Sequence, residues 1–324
     1  MSTLIVTERE LRRSLPLDAG ALAAVEEAFT WIDRGRVSMP PVMHIDINAH
    51  SAVDAKGAYV DGVGALAIKI ATGFFDNPEH GLPSCSSTIV LLNAETGVCE
   101  AVFLDNGYLM DLRTGLAGAV AAKHLAAEKV DTVGVLGTGV QARYQIESLA
   151  LVRSFSRVLV FGRNAGKVAA FCADMGARLG VEVIGVDSPE TLVRESQIVV
   201  TTTPATAPLI SADWIEPGLH ITAMGADLPG KQELDPRILQ MADLVVCDSI
   251  AQCRVGGEVQ HIDAAGDARG IVELGAFTSG RRAHSRAGGD VTICDLTGTG
   301  AQDTAIAVEA LRRIRAAGGG MEVS

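Results

Sequence analysis

Residues 133–151 constrain the fold more than any other stretch. Val133-Gly134-Val135-Leu136 is a short apolar strand that runs directly into Gly137-Thr138-Gly139-Val140-Gln141-Ala142, and residues 143–151 continue with helical spacing. In this strand–turn–helix context Gly137 permits the tight turn, Gly139 lets the backbone approach a pyrophosphate, and Ala142 lets the helix lie close on the strand. The helix N-terminus then faces phosphate charge. The spacing predicts a dinucleotide site at the first turn of a doubly wound domain, a stronger reading than a glycine turn without ligand.

The flanking texture supports that reading. After Val130, short apolar strands alternate with helices, at 133–136, 157–161, 181–186, 197–202, 220–224, 244–247 and 291–294, as expected for a parallel sheet. Before it, residues 18–35 read as an amphipathic helix ending at Gly35. Short β-like runs follow at 42–47, 57–60, 65–70, 88–92 and 98–103, the last two joined by a hairpin loop at 93–97, so the first hundred residues look antiparallel and sheet-rich. An alanine-rich helix is expected over 107–126, and a final helix over 304–317 that returns to the first domain. The expected fold class is α/β: a doubly wound Rossmann domain at 119–303, plus an N-terminal α+β substrate and dimerisation domain at 1–118, completed by 304–324.

With 324 residues and 48% apolar content the chain has core enough for two domains. A net charge of −12 argues against nucleic acid or an anionic membrane as partner. Six cysteines without a CxxC read as reduced core thiols, and no signal peptide or 18-residue apolar run occurs, so a cytoplasmic location is expected. The seven histidines show no metal-ligand spacing, so no metal is expected, and no G-x-S-x-G elbow points to a hydrolase.

Cofactor preference should be set about 20 residues after the turn, where an acid normally grips the ribose 2′-hydroxyl. Here the chain reads Phe161-Gly162-Arg163-Asn164. The missing acid and the available cation favour NADP(H) over NAD(H); the alternative is that Arg163 is a solvated loop residue. Ligands bind at the carboxyl ends of such strands. Those ends carry small or hydroxyl residues, which makes Thr202, Thr203, Met224, Gly225 and Thr297 cofactor candidates and Gly298 a substrate candidate.

Three charged residues stand out in otherwise apolar surroundings. Lys69 lies between Ile68 and Ile70, on the strand face shared with Ala65, Ala67 and Ala71, and either points to solvent or is deliberately enclosed. Arg113, followed by Thr114, lies in an Ala/Gly-rich helix, where its guanidinium suits a carboxylate or a diphosphate. Asp227 follows Gly225-Ala226 at a strand end and suits an amine or a proton transfer. Each alone is commonly an ordinary surface charge.

Taken with Ile68-Lys69, Leu112-Arg113-Thr114, Gln141 in the dinucleotide turn, Gly225-Ala226-Asp227 with Gly230-Lys231, and 295–303, the chain resembles the ornithine cyclodeaminase/mu-crystallin family over nearly its whole length. Met39-Pro40-Pro41, Gly73-Phe74-Phe75-Asp76-Asn77-Pro78 and 295–307 look like its ectoine-utilisation branch. The resemblance implies a homodimer joined through the N-terminal sheet. It also implies Lys69 and Arg113 on the substrate carboxylate or imine, Asp227 as acid/base or amine-binding residue, and Ser84, Val140, Gln141, Thr203 and Lys231 along the cofactor. Many members carry an arginine soon after the proline pair, whereas this chain has Val42-Met43-His44. Either His44 substitutes as a weaker, pH-dependent cation at the mouth of the substrate pocket, or the substrate is held differently; both argue against ornithine itself.

The function expected is hydride transfer between NAD(P) and the α-carbon of a small amino or imino acid, as an imine reductase or amino-acid dehydrogenase. One alternative is a cyclodeaminase that releases ammonia from a diamino acid with internal recycling of the nicotinamide. An alternative of another class is a dinucleotide-binding protein like mu-crystallin.

Overall fold

The computed structural model describes residues 2–262, 270–285 and 289–324, which form two units, Met1–Arg113 with Thr299–Ser324, and Thr114–Gly298. The boundaries fall five residues before those expected, inside the alanine-rich helix and just ahead of the last one.

The first unit opens with β1 (Thr3–Thr7), α1 (Glu8–Ser14) and α2 (Ala19–Asp33). Asp18 starts α2 by accepting a hydrogen bond from the Ala21 amide at 2.8 Å, and the helix buries Leu22, Val25 and Phe29. Then come β2 (Val37–Ser38), β3 (Met43–Asn48), β4 (Ser51–Val60), β5 (Ala65–Phe74), β6 (Cys85–Asn93), β7 (Cys99–Leu104) and α3 (Tyr108–Leu125), which contains the unit boundary.

The second unit continues with β8 (Thr132–Leu136), α4 (Val140–Leu149), β9 (Arg157–Phe161), α5 (Ala165–Leu179), β10 (Glu182–Gly185), α6 (Pro189–Arg194) and β11 (Ile198–Thr201). It goes on through β12 (Thr206–Ile210), β13 (His220–Ala223), β14 (Gln232–Leu234), α7 (Pro236–Met241), β15 (Leu244–Cys247), α8 (Ile250–Gly256), β16 (Val272–Glu273), α9 (Gly275–Thr278) and β17 (Thr292–Asp295). Its main sheet is parallel, in the order β10-β9-β8-β11-β13-β17-β15-β16, with β12 and β14 paired apart. The strand order reverses between β8 and β11, the switch point at which doubly wound sheets bind ligands. Apolar side chains fill both faces, Val133, Val135 and Val158 on one and Leu136, Leu159 and Ile221 on the other.

The chain then returns to the first unit with α10 (Gly300–Ala316) and β18 (Met321–Val323). The first unit's sheet runs β18-β1-β7-β6-β5-β4-β2, with β3 also paired to β4. Helix α10 packs on α2, β4 and β5, burying Ala301 and Ala305 against Ala28, Trp31 and Ala58.

Three expectations need correction. The first-unit sheet is not wholly antiparallel, because β1 pairs parallel with β7. Strand β4 begins at Ser51, not 57: its mixed polar half is held by antiparallel ladders to β3 and β5. Helix α10 starts at Gly300, not 304, because Thr299 and Gln302 form a capping box there.

Candidate functional site

The turn after β8 is built for close approach. Gly137 has φ +113°, and a Cβ there would lie 2.4 Å from Thr202 Oγ1, so only glycine fits. Its amide donates to the Phe161 carbonyl at 2.9 Å, and Thr202 Oγ1 donates to the Leu136 carbonyl at 2.9 Å. Gly139 is exposed, a Cβ added to it would meet no atom within 4 Å, and it begins α4 without a side-chain cap. The first amides of α4 therefore have no capping side chain from that position, and the open glycine lets an anion reach them; the residues fit a dinucleotide diphosphate. Val140 is exposed, Gln141 is half-buried, and Ala142 is fully buried against the sheet. Arg143, which sequence reasoning passed over, braces the turn by donating from Nη1 to the Thr138 carbonyl at 2.7 Å while Nε pairs with Asp174 at 2.8 Å.

At the end of β9, Gly162 leaves room for Thr138, whose Cγ2 would lie 2.9 Å from a Cβ. Arg163 is exposed. Asn164, a cofactor candidate beside it, caps α5, its Oδ1 accepting from the Lys167 amide at 3.0 Å.

Beyond β11 and β13, Thr203 and Gly225 are held by a carboxylate that no local pattern announced. Glu233, fully buried, accepts from the Thr203 amide at 2.6 Å, from the Gly225 amide at 2.9 Å and from Thr201 Oγ1 at 2.5 Å. Burial raises its pKa. Met224 is buried, whereas Asp227 is exposed and its Oδ1 accepts from Lys231 Nζ at 2.6 Å. Thus two expected site residues, Asp227 and Lys231, form an ion pair.

The loop after β17 is likewise held from inside. Asp248 accepts from the Thr297 amide at 2.9 Å and the Gly298 amide at 2.6 Å, and Gln252 donates to Thr297 Oγ1 and the Gly298 carbonyl, each at 2.8 Å. Thr297 and Gly298, expected to touch cofactor and substrate, are thus held by Asp248 just after β15 and by Gln252 on α8. Beside them Cys247, Cys253 and Asp295 bring potential metal-ligand atoms within 4.8 Å of one another, although no sequence spacing suggested it. Burial pushes the Cys253 thiol well up, so it is protonated, and its Sγ lies 3.3 Å from Asp248 Oδ1. Three of the six cysteines are buried, but Cys85 is exposed, contrary to a wholly interior set.

In the first unit Lys69 is enclosed, at 1% exposure, on the face it shares with Ala65 and Ala67. Its Nζ donates to Asp303 Oδ1 at 3.0 Å, and the same oxygen accepts from Arg113 Nε at 3.0 Å. The structure thus brings Lys69 and Arg113 together through an acid that sequence reasoning had quoted only as part of a motif. Burial first, then the neighbouring Arg113, lowers the Lys69 pKa to about 7, while Asp303 opposes them. Ser84 is half-buried just before β6, and Thr114 is half-buried, its carbonyl accepting from Gln145 Nε2 at 2.9 Å.

His44 is not a free cation. It stands on the exposed strand β3, with Nδ1 2.6 Å from Asp54 and Nε2 3.0 Å from Asp46, and both acids raise its pKa, Asp54 more than Asp46. Any charge it gains is compensated by two carboxylates, which removes its expected value as a substitute for the missing arginine. In register His44 opposes Asp54, whereas Lys69 opposes Lys56, two residues further along β4.

Comparison with known proteins extends the likeness over the chain. An uncharacterized cyclodeaminase of Sinorhizobium fredii is 44% identical over 315 residues, covering 95% of this chain and 95% of that protein. An archaeal alanine dehydrogenase dimer with bound NAD has a TM-score of 0.90 and 32% identity, covering 100% of this chain and 99% of that one. The iminosuccinate reductase of Paracoccus denitrificans in complex with NAD+ has a TM-score of 0.90 and 31% identity, covering 100% of both chains. With the family model matching residues 1–317, the chain belongs to the ornithine cyclodeaminase/mu-crystallin family.

Proposed function

We propose that the chain is an NAD(P)-dependent oxidoreductase acting on a small amino or imino acid, as an imine reductase or amino-acid dehydrogenase. The observation that carries this reading is the buried pair Lys69 and Arg113, two cations sharing the single carboxylate of Asp303. Such a pocket has charge to spare for a substrate carboxylate, and enclosure strengthens that attraction. When bound, the nicotinamide supplies or accepts hydride at the substrate carbon. Lys69 and Arg113 would then orient the carboxylate, and Asp227 would exchange a proton with the nitrogen or grip the amine.

Within the same reading, NADP(H) is preferred to NAD(H). The support is Arg163, a solvent-facing guanidinium after a glycine, in a place where no acid is available for the ribose. The working form is a homodimer joined through the first unit's sheet, where Tyr59, Ile68 and Ile70 are exposed apolar side chains. Cysteines without a CxxC, three of them buried, suit the cytoplasm; among the described residues no helix is long and apolar enough to cross a membrane.

The alternative favoured by the Sinorhizobium relative is cyclodeamination, which shares the first oxidative step. A panel of small diamino, amino and keto acids with ammonia separates the two when nicotinamide absorbance and ammonia release are followed together. Net, stoichiometric absorbance change supports the dehydrogenase or reductase. Ammonia release without it supports the cyclodeaminase, and silence from both across the panel favours a dinucleotide-binding protein.

A further inference from the structure

We propose that Asp303 is a positioning residue for the reaction: it holds the buried Lys69 ammonium and Arg113 guanidinium side by side, so that one substrate carboxylate completes the charge balance. This deepens the oxidoreductase reading and rests on it.

The geometry is fixed from several sides. Asp303 lies in the first turn of α10, where a carboxylate is favoured by the helix dipole. That turn is locked by the capping box of Thr299 and Gln302. It presses on β4 so closely that a Cβ at Gly300 would lie 2.4 Å from the Gly57 carbonyl oxygen. The next residue, Thr304, donates to the Ala58 carbonyl at 2.9 Å and accepts from the Ala67 amide at 3.2 Å, pinning the helix across β4 and β5. Asp303 itself is fully buried. Its Oδ1 receives both cations, while Oδ2 lies 2.9 Å from Lys69 Nζ without a well-directed hydrogen bond.

The charges follow. Lys69 and Arg113 together hold the Asp303 pKa down against its burial. Arg113 and Asp303 cancel, which leaves Lys69 as the titrating member. An unbalanced buried ammonium is costly. It is relieved either by losing its proton or by gaining an anion. The other charges that bear on it are Lys56 from β4, which disfavours its proton, and Asp105 from the β7–α3 turn, which favours it. A substrate carboxylate should therefore bind with proton uptake by Lys69 above neutral pH. Without Asp303, the two cations repel and Lys69 is neutral over more of the pH range.

The test compares Asp303→Asn, Asp303→Glu and Lys69→Met in the full-length protein with the substrate that emerges from the panel. In Asp303→Asn the alkaline limb of kcat/KM should move down by about one to three pH units, the usual effect of an opposite charge at this distance. Asp303→Glu should restore part of the shift, and dinucleotide affinity should stay within about twofold, since the phosphate turn lies elsewhere in the sequence. A lowered kcat with an unchanged pH profile makes Asp303 merely structural and overturns the proposal. If Lys69→Met remains active, the oxidoreductase reading of this pocket fails instead. Where Asp303→Asn does not fold, the lysine Cε signal of Lys69 in the unaltered protein, assigned by its loss in Lys69→Met, decides. Titration near neutrality that moves upward with a bound carboxylate inhibitor supports the proposal, and titration only in the ordinary lysine range overturns it.

Discussion

Replacing Arg163 with alanine isolates the cofactor preference with little collateral damage. The side chain is exposed, and none of the described hydrogen bonds or ion pairs involves it, so its loss leaves no buried group stranded. The loop around it keeps its shape, because Asn164 still caps α5 and Gly162 still accommodates Thr138. A hydrogen bond to a charged group contributes about 1.5–3 kcal/mol. With about 1.4 kcal/mol per factor of ten, that range is roughly 10- to 150-fold in affinity. Solvent screening at an exposed site places the expected loss near the lower end, on the order of tenfold at physiological salt and more at low salt. NADH lacks the 2′-phosphate and should lose less than about twofold on the same grounds. Titrating intrinsic or nicotinamide fluorescence with NADPH and NADH, for both proteins and at two ionic strengths, reads all eight constants. Equal losses for the two cofactors, or tighter binding of NADH by the unaltered protein, would refute the reasoning.

The other predictions concern the acid at the strand end, the helix contact and the buried carboxylates. Asp227→Asn should lower turnover by about two orders of magnitude, as loss of a positioned acid/base does, while NADPH affinity holds; near-full activity would remove Asp227 from the chemistry. Gly300→Ala should destabilise by about 2–3 kcal/mol through overpacking, since the new Cβ would lie 2.4 Å from the Gly57 oxygen and 2.6 Å from its carbonyl carbon; an unchanged urea midpoint would show that α10 shifts freely. Burial raises Glu258 from 4.5 to about 8, so its native form holds a proton that the unfolded form has lost. The stability it contributes is complete below 4.5 and disappears as pH rises through about 8. Glu258→Gln should therefore reduce the drop in Tm between pH 6 and pH 9; a steeper drop would contradict this sign.

What could be read from the sequence was local. Strands 157–161 and 244–247 fall at the bounds their apolar runs suggested, because each is a self-contained stretch between polar breaks. The period-two alternation around Lys69 identified its face, and the structure resolves the choice between solvent and interior in favour of the interior. The glycine turn after β8 was legible because its glycines answer to backbone geometry within a few residues. The acids that organise the rest were not. Asp303 meets Lys69 across 234 positions, and Asp248 meets Gly298 across 50. Glu233 reaches Thr203 across 30. No periodicity records such pairings, although a lone acid in the alanine-rich start of a helix, as Asp303 is, was a usable hint. His44 misled for the converse reason: its type was right for a cation, but Asp54 on the next strand could not be assigned as its partner without the register.

The return of α10 and β18 to the first unit also bears on the order in which the protein can be made. Residues 114–298 form an uninterrupted segment and can fold as soon as they leave the ribosome, whereas the first unit must wait for 299–324. Until then the strand carrying Lys69 lacks both the helix that covers it and the only carboxylate hydrogen-bonded to its ammonium among the described residues. The half-made pocket is a pair of like charges with no lid, which disfavours premature closure of the sheet around them. The segment that supplies the counter-ion thus leaves the ribosome after the lysine, the arginine and the whole of the second unit, and the cluster is completed only then.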